Sequence, residues 1–296
     1  MNNNNNLVIL IGASGYIGQQ FIHELIDRDI RFFEISRKTI DYYNFDHLIG
    51  FFHSTNPTFV INCAGFTGKP NVDVCEDNKE ETLLANAELP RTIAKACKAF
   101  DIPFGHVSSG CIYGGYEKDF TEEDEPNFCF DSPPCSYYSG TKALGEHYIT
   151  NMYDQHYIWR LRIPFDEYDS PRNYLTKLQK YDRLLDMKNS ISHRSDFVKA
   201  CIELWLNDSE YGIYNVVNSG SVTAQRVVTL IKKYLNLSKD FEFFKSEEEM
   251  YKVAAKAARS NCVLDNSKLI SAGVEIRSAE DAIIDSLKNW KENVEV

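Results

Sequence analysis

Tyr138 and Lys142 stand four residues apart in Tyr137-Tyr138-Ser139-Gly140-Thr141-Lys142. On a helix this spacing puts both side chains on one face, one turn apart. A phenol ordinarily keeps its proton to about pH 10, but a neighbouring ammonium stabilises phenolate, so the pair can serve as a general acid or base near neutrality. The same spacing also occurs on plain amphipathic helices, where the Tyr packs and the Lys is solvated. Other stretches of the chain decide between the two.

Leu7-Val8-Ile9-Leu10-Ile11 is a continuous apolar run, as in a strand buried on both faces, and it leads into Gly12-Ala13-Ser14-Gly15-Tyr16-Ile17-Gly18 and a helix to about Asp27. Gly12 suits a tight turn, Gly15 the approach of a pyrophosphate and Gly18 the packing of helix on strand, while the helix start offers free N–H groups to an anion. Ser14, Tyr16 and Ile17 complete this expected dinucleotide loop. The second strand, Arg31 to Ile35, ends in Ser36-Arg37-Lys38. An acidic residue there would bind the ribose 2′-hydroxyl of NAD; Ser36 and Arg37 instead suit the 2′-phosphate of NADPH. NADPH is the expected cofactor, with NADH left open; otherwise Arg37 and Lys38 are simply solvated charges.

Strand Thr58 to Ile61 runs into Asn62-Cys63-Ala64-Gly65, which places Cys63, Ala64 and Gly65 beside the cofactor. The polar loop that follows, Thr67 to Asp73, reads as a substrate loop, with Thr67, Lys69 and Asn71 as its contacts. A long helix from Glu81 to Phe100 precedes strand Ile102 to Val107, whose end carries Ser108-Ser109-Gly110-Cys111-Ile112-Tyr113-Gly114. Ser109 there can hydrogen-bond a carbonyl oxygen in the same crevice. After the Tyr138 helix comes strand Tyr157 to Leu161. This alternation predicts an α/β protein: a Rossmann-type doubly wound parallel sheet over residues 1–162, with residues 191–217 returning to it. Residues 163–296 form a smaller, mainly substrate-binding region. It holds a short helix at Tyr174 to Tyr181 carrying Lys177, helices Ser195 to Leu206, Val222 to Leu235 and Ser278 to Asn293, and a strand at Gly212 to Val217.

The 296 residues carry a net charge of −11, which disfavours nucleic acid and anionic membrane surfaces as partners. An anionic ligand must therefore meet a local positive site. The eight cysteines contain no CxxC pair and the seven histidines no metal-binding spacing, so no metal is expected and the thiols read as those of a reduced, cytoplasmic protein. No apolar run approaches the ~18 residues of a membrane span, and Asn2 to Asn6 read as a tail.

GASGYIG, NCAG, SSGCIYG and YSGTK, in this order and spacing, resemble the extended short-chain dehydrogenase/reductases, whose catalytic Ser/Thr, Tyr and Lys fall on Ser109, Tyr138 and Lys142. Ala64 to Glu76, Phe120 to Phe128, LRIPF, Ser170 to Lys177 and Arg259 to Leu269 are more specifically similar to the UDP-4-keto-6-deoxyglucose 3,5-epimerase/4-reductases of the C-terminal half of plant rhamnose synthases. GDP-fucose synthases and dTDP-4-keto-rhamnose reductases are related. The resemblance implies two further acid/base groups for epimerisation, at Cys111 and at Lys177. It also implies substrate contacts at Arg172, Asn173 and Arg259, a homodimer through the Glu81 and Tyr138 helices, and a separate 4,6-dehydratase upstream, since no second glycine loop exists. Without it Cys111 would read as a small buried hydrophobe and Lys177 as a solvated charge, while Arg259 suits either a diphosphate or a surface salt bridge. Gly140 replaces a family Lys and takes no role.

The implied activity is conversion of UDP-4-keto-6-deoxyglucose to UDP-L-rhamnose with NADPH. Two alternatives stand beside it: a 4-reductase acting alone, on a uridine or thymidine substrate, and a non-catalytic, dinucleotide-binding regulatory subunit.

Overall fold

The computed structural model describes residues 6–292. The expected Asn tail lies outside that range up to residue 5, as does Asn293, the expected end of the last helix. Five strands alternate with helices: β1 (Leu7–Ile11), α1 (Tyr16–Asp27), β2 (Arg31–Ile35), α2 (Phe45–Thr55), β3 (Phe59–Asn62), α3 (Asp73–Asp77), α4 (Lys79–Leu83), α5 (Leu89–Phe100), β4 (Phe104–Ser109), α6 (Tyr137–Thr150) and β5 (His156–Leu161). With an edge strand, Gly212–Asn215, they form one parallel six-stranded sheet in which β1 lies between β2 and β3, followed by β4, β5 and the edge strand. This is the predicted Rossmann-type sheet.

The alternation of side chains along each strand makes two cores. Val8 and Leu10 of β1, Phe59 and Ile61 of β3 and Trp159 of β5 pack against Phe21 and Leu25 of α1 and Phe197 and Ile202 of α8 (Arg194–Leu206). Their neighbours Ile9, Ile11, Val60 and Ile158 face Leu48, Phe52, Ile93, Cys97 and Ile149 of α2, α5 and α6. A third core lies past β5, where α7 (Tyr174–Lys180), α9 (Ala224–Leu235) and α12 (Ala279–Lys288) meet through Leu175, Leu178, Val227, Ile231 and Ile283. Among the described residues no helix is long and apolar enough to cross a membrane.

The helix expected from Glu81 to Phe100 is interrupted. Residues Leu84–Glu88 form a π-helical turn between α4 and α5. Pro90 has no N–H to give the carbonyl of Asn86, so the α-helical ladder cannot run through this point. The freed Asn86 carbonyl bulges toward α6, and only a glycine fits there: a Cβ on Gly145 would lie 2.2 Å from Asn86 O. The polar loop before α4 also differs from expectation, because Asp73–Asp77 closes into α3, whose Glu76 accepts the Tyr137 N–H at 2.7 Å and so caps α6. The remaining short helices, α10 (Glu247–Val253) and α11 (Ser267–Ser271), were not anticipated either.

Gly145→Ala should destabilise the protein by about 1–3 kcal/mol, because the added methyl meets backbone that cannot yield. Gly50→Ala, inside α2 with nothing within 4 Å of its Cβ, should instead stabilise by about 0.5–1 kcal/mol. Urea unfolding of the two variants tests the contrast.

Candidate active site

The sheet order reverses at β1, between β2 and β3, and the crevice beyond the strand ends at such a point is where ligands bind. The glycine loop lies there. Gly12 has φ +82°, and a Cβ on it would stand 2.4 Å from Ala64 N, so the turn presses directly against the end of β3. A Cβ on Gly18 would meet Gly12 O at 2.2 Å, so α1 packs tightly on the loop. Gly15 occupies the N-cap of α1 with no side-chain hydrogen bond, leaving the first helical N–H groups open to an anion. Ser14 is exposed, and Tyr16 and Ile17 are half-buried. Tyr16 also meets α8: the Arg194 guanidinium lies 4.6 Å from its ring centroid and 3.0 Å from Asp166. At the end of β2, Ser36 accepts the Thr39 N–H in a tight turn that leaves Arg37 exposed beside the loop. Cys63, Ala64 and Gly65 form the opposite wall, and burial pushes the Cys63 thiol far up, so that wall is neutral.

Ser109 ends β4, and its Oγ accepts the Cys111 N–H at 3.2 Å. α6 begins at the Ser136 cap, which accepts the Ser139 N–H at 3.0 Å, and carries Tyr138 and Lys142 on consecutive turns. Lys142 is 4% exposed, and its Nζ donates to Val107 O at 2.9 Å and lies 3.5 Å from His106 Nε2. Burial lowers its proton affinity to about 8, against opposing pulls from Glu146, Cys111 and Cys63. Burial also dominates at Tyr138 and pushes the phenol up; Cys111 adds to this, while the Ser109 hydroxyl and the Arg172 charge favour phenolate. The expectation that Lys142 draws Tyr138 toward neutrality is therefore not met in this arrangement. Desolvation governs the phenol, and the Lys142 ammonium is turned onto the Val107 carbonyl.

Cys111 follows Ser109 in the 3₁₀ turn Gly110–Ile112 and is half-buried, with its Sγ accepting from Arg162 Nη1 at 3.4 Å. Lys177 on α7 makes no ion pair among the described residues, and burial together with the charges of Arg172 and Arg259 lowers its proton affinity. Arg172 donates to Thr67 Oγ1 and Gly68 O, both at 2.8 Å, so α7 and the loop after β3 are joined as one wall. On that loop Asn71 Oδ1 accepts the Asp73 N–H at 2.9 Å, and Lys69 is exposed.

Two proposed substrate contacts are otherwise engaged. Asn173 is fully buried: its Oδ1 accepts the Leu175 N–H, and its amide donates to Asp166 and to Tyr168 O, so it caps α7 and fixes the preceding loop. These bonds fix the backbone on either side of Arg172 and the start of the helix that carries Lys177. Arg259 takes the salt-bridge alternative, pairing with both Asp73 oxygens at 2.9 Å. Burial works to raise the Asp73 carboxyl, but this pair outweighs it and holds it below the ordinary carboxylate range. Gly140, given no role, is buried against Phe130, whose ring a Cβ would strike at 2.2 Å.

Three residues were missed. His106 joins Asn62 (Nδ2 to Nδ1, 3.1 Å) to Lys142 and is kept neutral by burial and by the Lys142 charge. Asn86 exchanges two hydrogen bonds with the Phe66 backbone and donates to Thr141 Oγ1 at 3.3 Å, tying the loop to α6. Arg162 grips Cys111. A polar residue within an apolar run was the available signal for His106 and Asn86.

A dinucleotide cradle at a sheet switch point, facing a Ser-Tyr-Lys set on β4 and α6, defines the extended short-chain dehydrogenase/reductase architecture. The chain belongs to the RmlD substrate binding domain family, which matches residues 6–292. It is 33% identical over 239 residues to the bifunctional dTDP-4-dehydrorhamnose 3,5-epimerase/dTDP-4-dehydrorhamnose reductase of Arabidopsis thaliana, covering 78% of this chain and 76% of that one. It is 32% identical over 245 residues to an Arabidopsis thaliana trifunctional UDP-glucose 4,6-dehydratase/UDP-4-keto-6-deoxy-D-glucose 3,5-epimerase/UDP-4-keto-L-rhamnose-reductase, a match covering 80% of this chain and only 35% of that protein. Its fold matches the L780 UDP-rhamnose synthase of Acanthamoeba polyphaga mimivirus with a TM-score of 0.87 at 23% identity, over 96% of this chain and 99% of that one.

Because the folded chain binds the Lys142 proton less tightly than the unfolded chain, which holds it to about pH 10.4, unfolded molecules carry more protons between pH 8 and that value. Stability should therefore rise with pH across this window in wild type relative to Lys142→Met, by up to ~1.4 kcal/mol per pH unit. Parallel urea titrations at pH 8, 9 and 10 measure it; a constant difference would mean that burial does not act on Lys142.

Proposed function

We propose that the chain is a bifunctional 3,5-epimerase/4-reductase that converts UDP-4-keto-6-deoxy-D-glucose to UDP-L-rhamnose with NADPH. The observation that carries this reading is the grouping of Cys111 and Lys177 with Ser109 and Tyr138: Cys111 follows Ser109 by two residues and acts on Tyr138, and Arg172 acts on both Tyr138 and Lys177. A simple reductase needs only the Ser-Tyr-Lys set.

The C3 and C5 protons of a 4-keto sugar are acidic because each carbon adjoins the ketone, and their loss leaves an enolate with charge on O4. Ser109 and Tyr138 donate hydrogen bonds to O4 and stabilise that charge. The Cys111 thiolate and the Lys177 ammonium remove and return protons on opposite sides of the ring, inverting both centres. NADPH, once held there, would supply the hydride for C4, and Tyr138 gives O4 its proton. Lys142 orients the cofactor ribose and is positively charged below about pH 8. Epimerisation precedes reduction, since reduction removes the ketone that acidifies C3 and C5. The ketone itself must come from a 4,6-dehydratase acting upstream. The exposed Arg37, at the end of β2, and the open N–H groups of α1 suit the 2′-phosphate and pyrophosphate.

Incubation with UDP-4-keto-6-deoxyglucose and NADPH in deuterated water should yield UDP-L-rhamnose with deuterium at C3 and C5 by NMR. Cys111→Ala should cut that product at least ~100-fold, the scale of a lost acid/base group. NADPH oxidation without deuterium at either carbon would leave a 4-reductase alone, and no turnover with any uridine or thymidine 4-keto sugar would favour the regulatory alternative. In the same assay Arg37→Ala should raise the KM for NADPH about tenfold or more while leaving that for NADH within about twofold, the loss of one charge-assisted contact. Equal effects on both cofactors would remove Arg37 from the 2′-phosphate site.

A further inference from the structure

Arg160, Arg162 and Arg194 are each exposed by no more than 2%. Glu146 neutralises Arg160 at 2.7 Å, and Asp166 neutralises Arg194 at 3.0 Å. Arg162 forms no ion pair among the described residues. Its Nη1 donates to Cys111 Sγ at 3.4 Å and Ser260 Oγ at 3.0 Å, while Nη2 donates to Ser260 O at 2.7 Å and to Asn189 Oδ1. The Nε, also buried, has no acceptor. A guanidinium does not give up its proton in a protein, and leaving a buried cation without a counter-ion costs several kcal/mol. Among these hydrogen-bonded partners only Cys111 carries an acidic proton; the Ser260 and Asn189 groups are neutral donors and acceptors.

We propose that Arg162 is the counter-ion of a Cys111 thiolate, a positioning residue that keeps the sulfur deprotonated and aimed into the crevice. The proposal rests on the reading of Cys111 as an epimerisation base. In that step the S–H bond forms as the substrate C–H bond breaks and the carbon's electron pair moves toward O4; the Lys177 ammonium then protonates that carbon from the opposite face as the pair returns from O4, the thiol and the amine regain their starting protonation by exchange with water, and Arg162 keeps all of its protons throughout.

The other titratable groups around the pair do not displace this assignment. Cys262 and Tyr116 stand on the Arg162 side, and burial pushes both up; the Cys262 thiol also donates to Gly110 O at 3.7 Å, which requires its proton. Tyr138 and Lys142 act on Cys111 from α6. Burial keeps Tyr138 neutral, and Lys142, charged below about pH 8, is a second cation and no competing anion. The segment Arg259-Ser260-Asn261-Cys262 thereby acquires a purpose. Ser260 holds the guanidinium through two atoms and donates to Tyr113 O, and Asn261 O accepts the Gly115 N–H at 3.0 Å, clamping the chain that leaves the Cys111 turn.

Alkylation by iodoacetamide, followed at the Cys111 peptide by mass spectrometry from pH 5.5 to 10, tests the pairing without any turnover. An ordinary free thiol reaches half its maximal rate near pH ~8.5. Wild-type Cys111 should do so at least a pH unit lower. It should react about tenfold or more faster than Cys111 of Arg162→Gln at pH 6.5, with the two rates converging at pH 10, and Arg162→Lys should recover part of the difference. A wild-type profile like that of a free thiol overturns the proposal, and it does so even if the Gln variant does not fold. So does a profile that the Gln variant leaves unchanged. If Cys111 shows the early profile and the substrate takes up no deuterium, the epimerase reading fails while the counter-ion stands; deuterium uptake with an ordinary thiol profile is the reverse.

Discussion

Four cations line one crevice without a carboxylate in an ion pair with any of them among the described residues: Lys142 on the Val107 carbonyl, Arg162 on Cys111, Arg172 on the loop after β3, and Lys177. In a chain of net charge −11 this is a deliberate local inversion. Elsewhere in the protein buried positive charge is neutralised, as at Arg160 by Glu146 and Arg194 by Asp166. Unpaired buried cations weaken a fold, and a protein carries them where a ligand or a reacting group supplies the missing anion. A nucleotide diphosphate, an enolate oxygen and a thiolate are the anions that the proposed reaction brings to this place.

The backbone that holds these charges follows from few devices. The switch point at β1 sets the glycine loop against the end of β3, and Gly12 allows the two to touch. β4 delivers Ser109 and Cys111 to the same edge, and α6 brings Tyr138 and Lys142 over them. α6 is placed by contacts at its start and its middle: Glu76 on its first N–H, and Gly145 against the π-turn. The π-turn earns its irregular geometry through Asn86, which connects α6 with the loop bearing Thr67. The π-turn, α6 and the loop after β3 thus share one set of hydrogen bonds.

Much of this was legible in the sequence because strand periodicity, the glycine spacing and the Tyr-Lys interval are local patterns with local causes. All five strands of the Rossmann unit lie where their apolar runs put them, within a few residues, and the Tyr138–Lys142 stretch is helical, as the reading of its spacing supposed. What escaped depends on contacts between distant segments. Arg162 looks like any strand-end arginine until Ser260, 98 residues away, closes over it. Gly140 looks free until the Phe130 ring is placed against it. Asn173 stands in a motif beside Arg172 and Lys177, but a buried cap with every polar atom used cannot be told from a ligand-facing amide by spacing alone. Arg259 offered two partners, and Asp73 opens α3, 186 residues earlier in the chain.

The central claim is that this cationic crevice stabilises an enolate independently of hydride transfer. Its most direct test omits the reductant: UDP-4-keto-6-deoxyglucose is incubated with the protein and NADP⁺ in deuterated water, and exchange at C3 and C5 is followed by NMR while the ketone persists. The account predicts deuterium at both carbons without reduction. No exchange at either carbon, from protein that reduces the same sugar once NADPH is added, would contradict it.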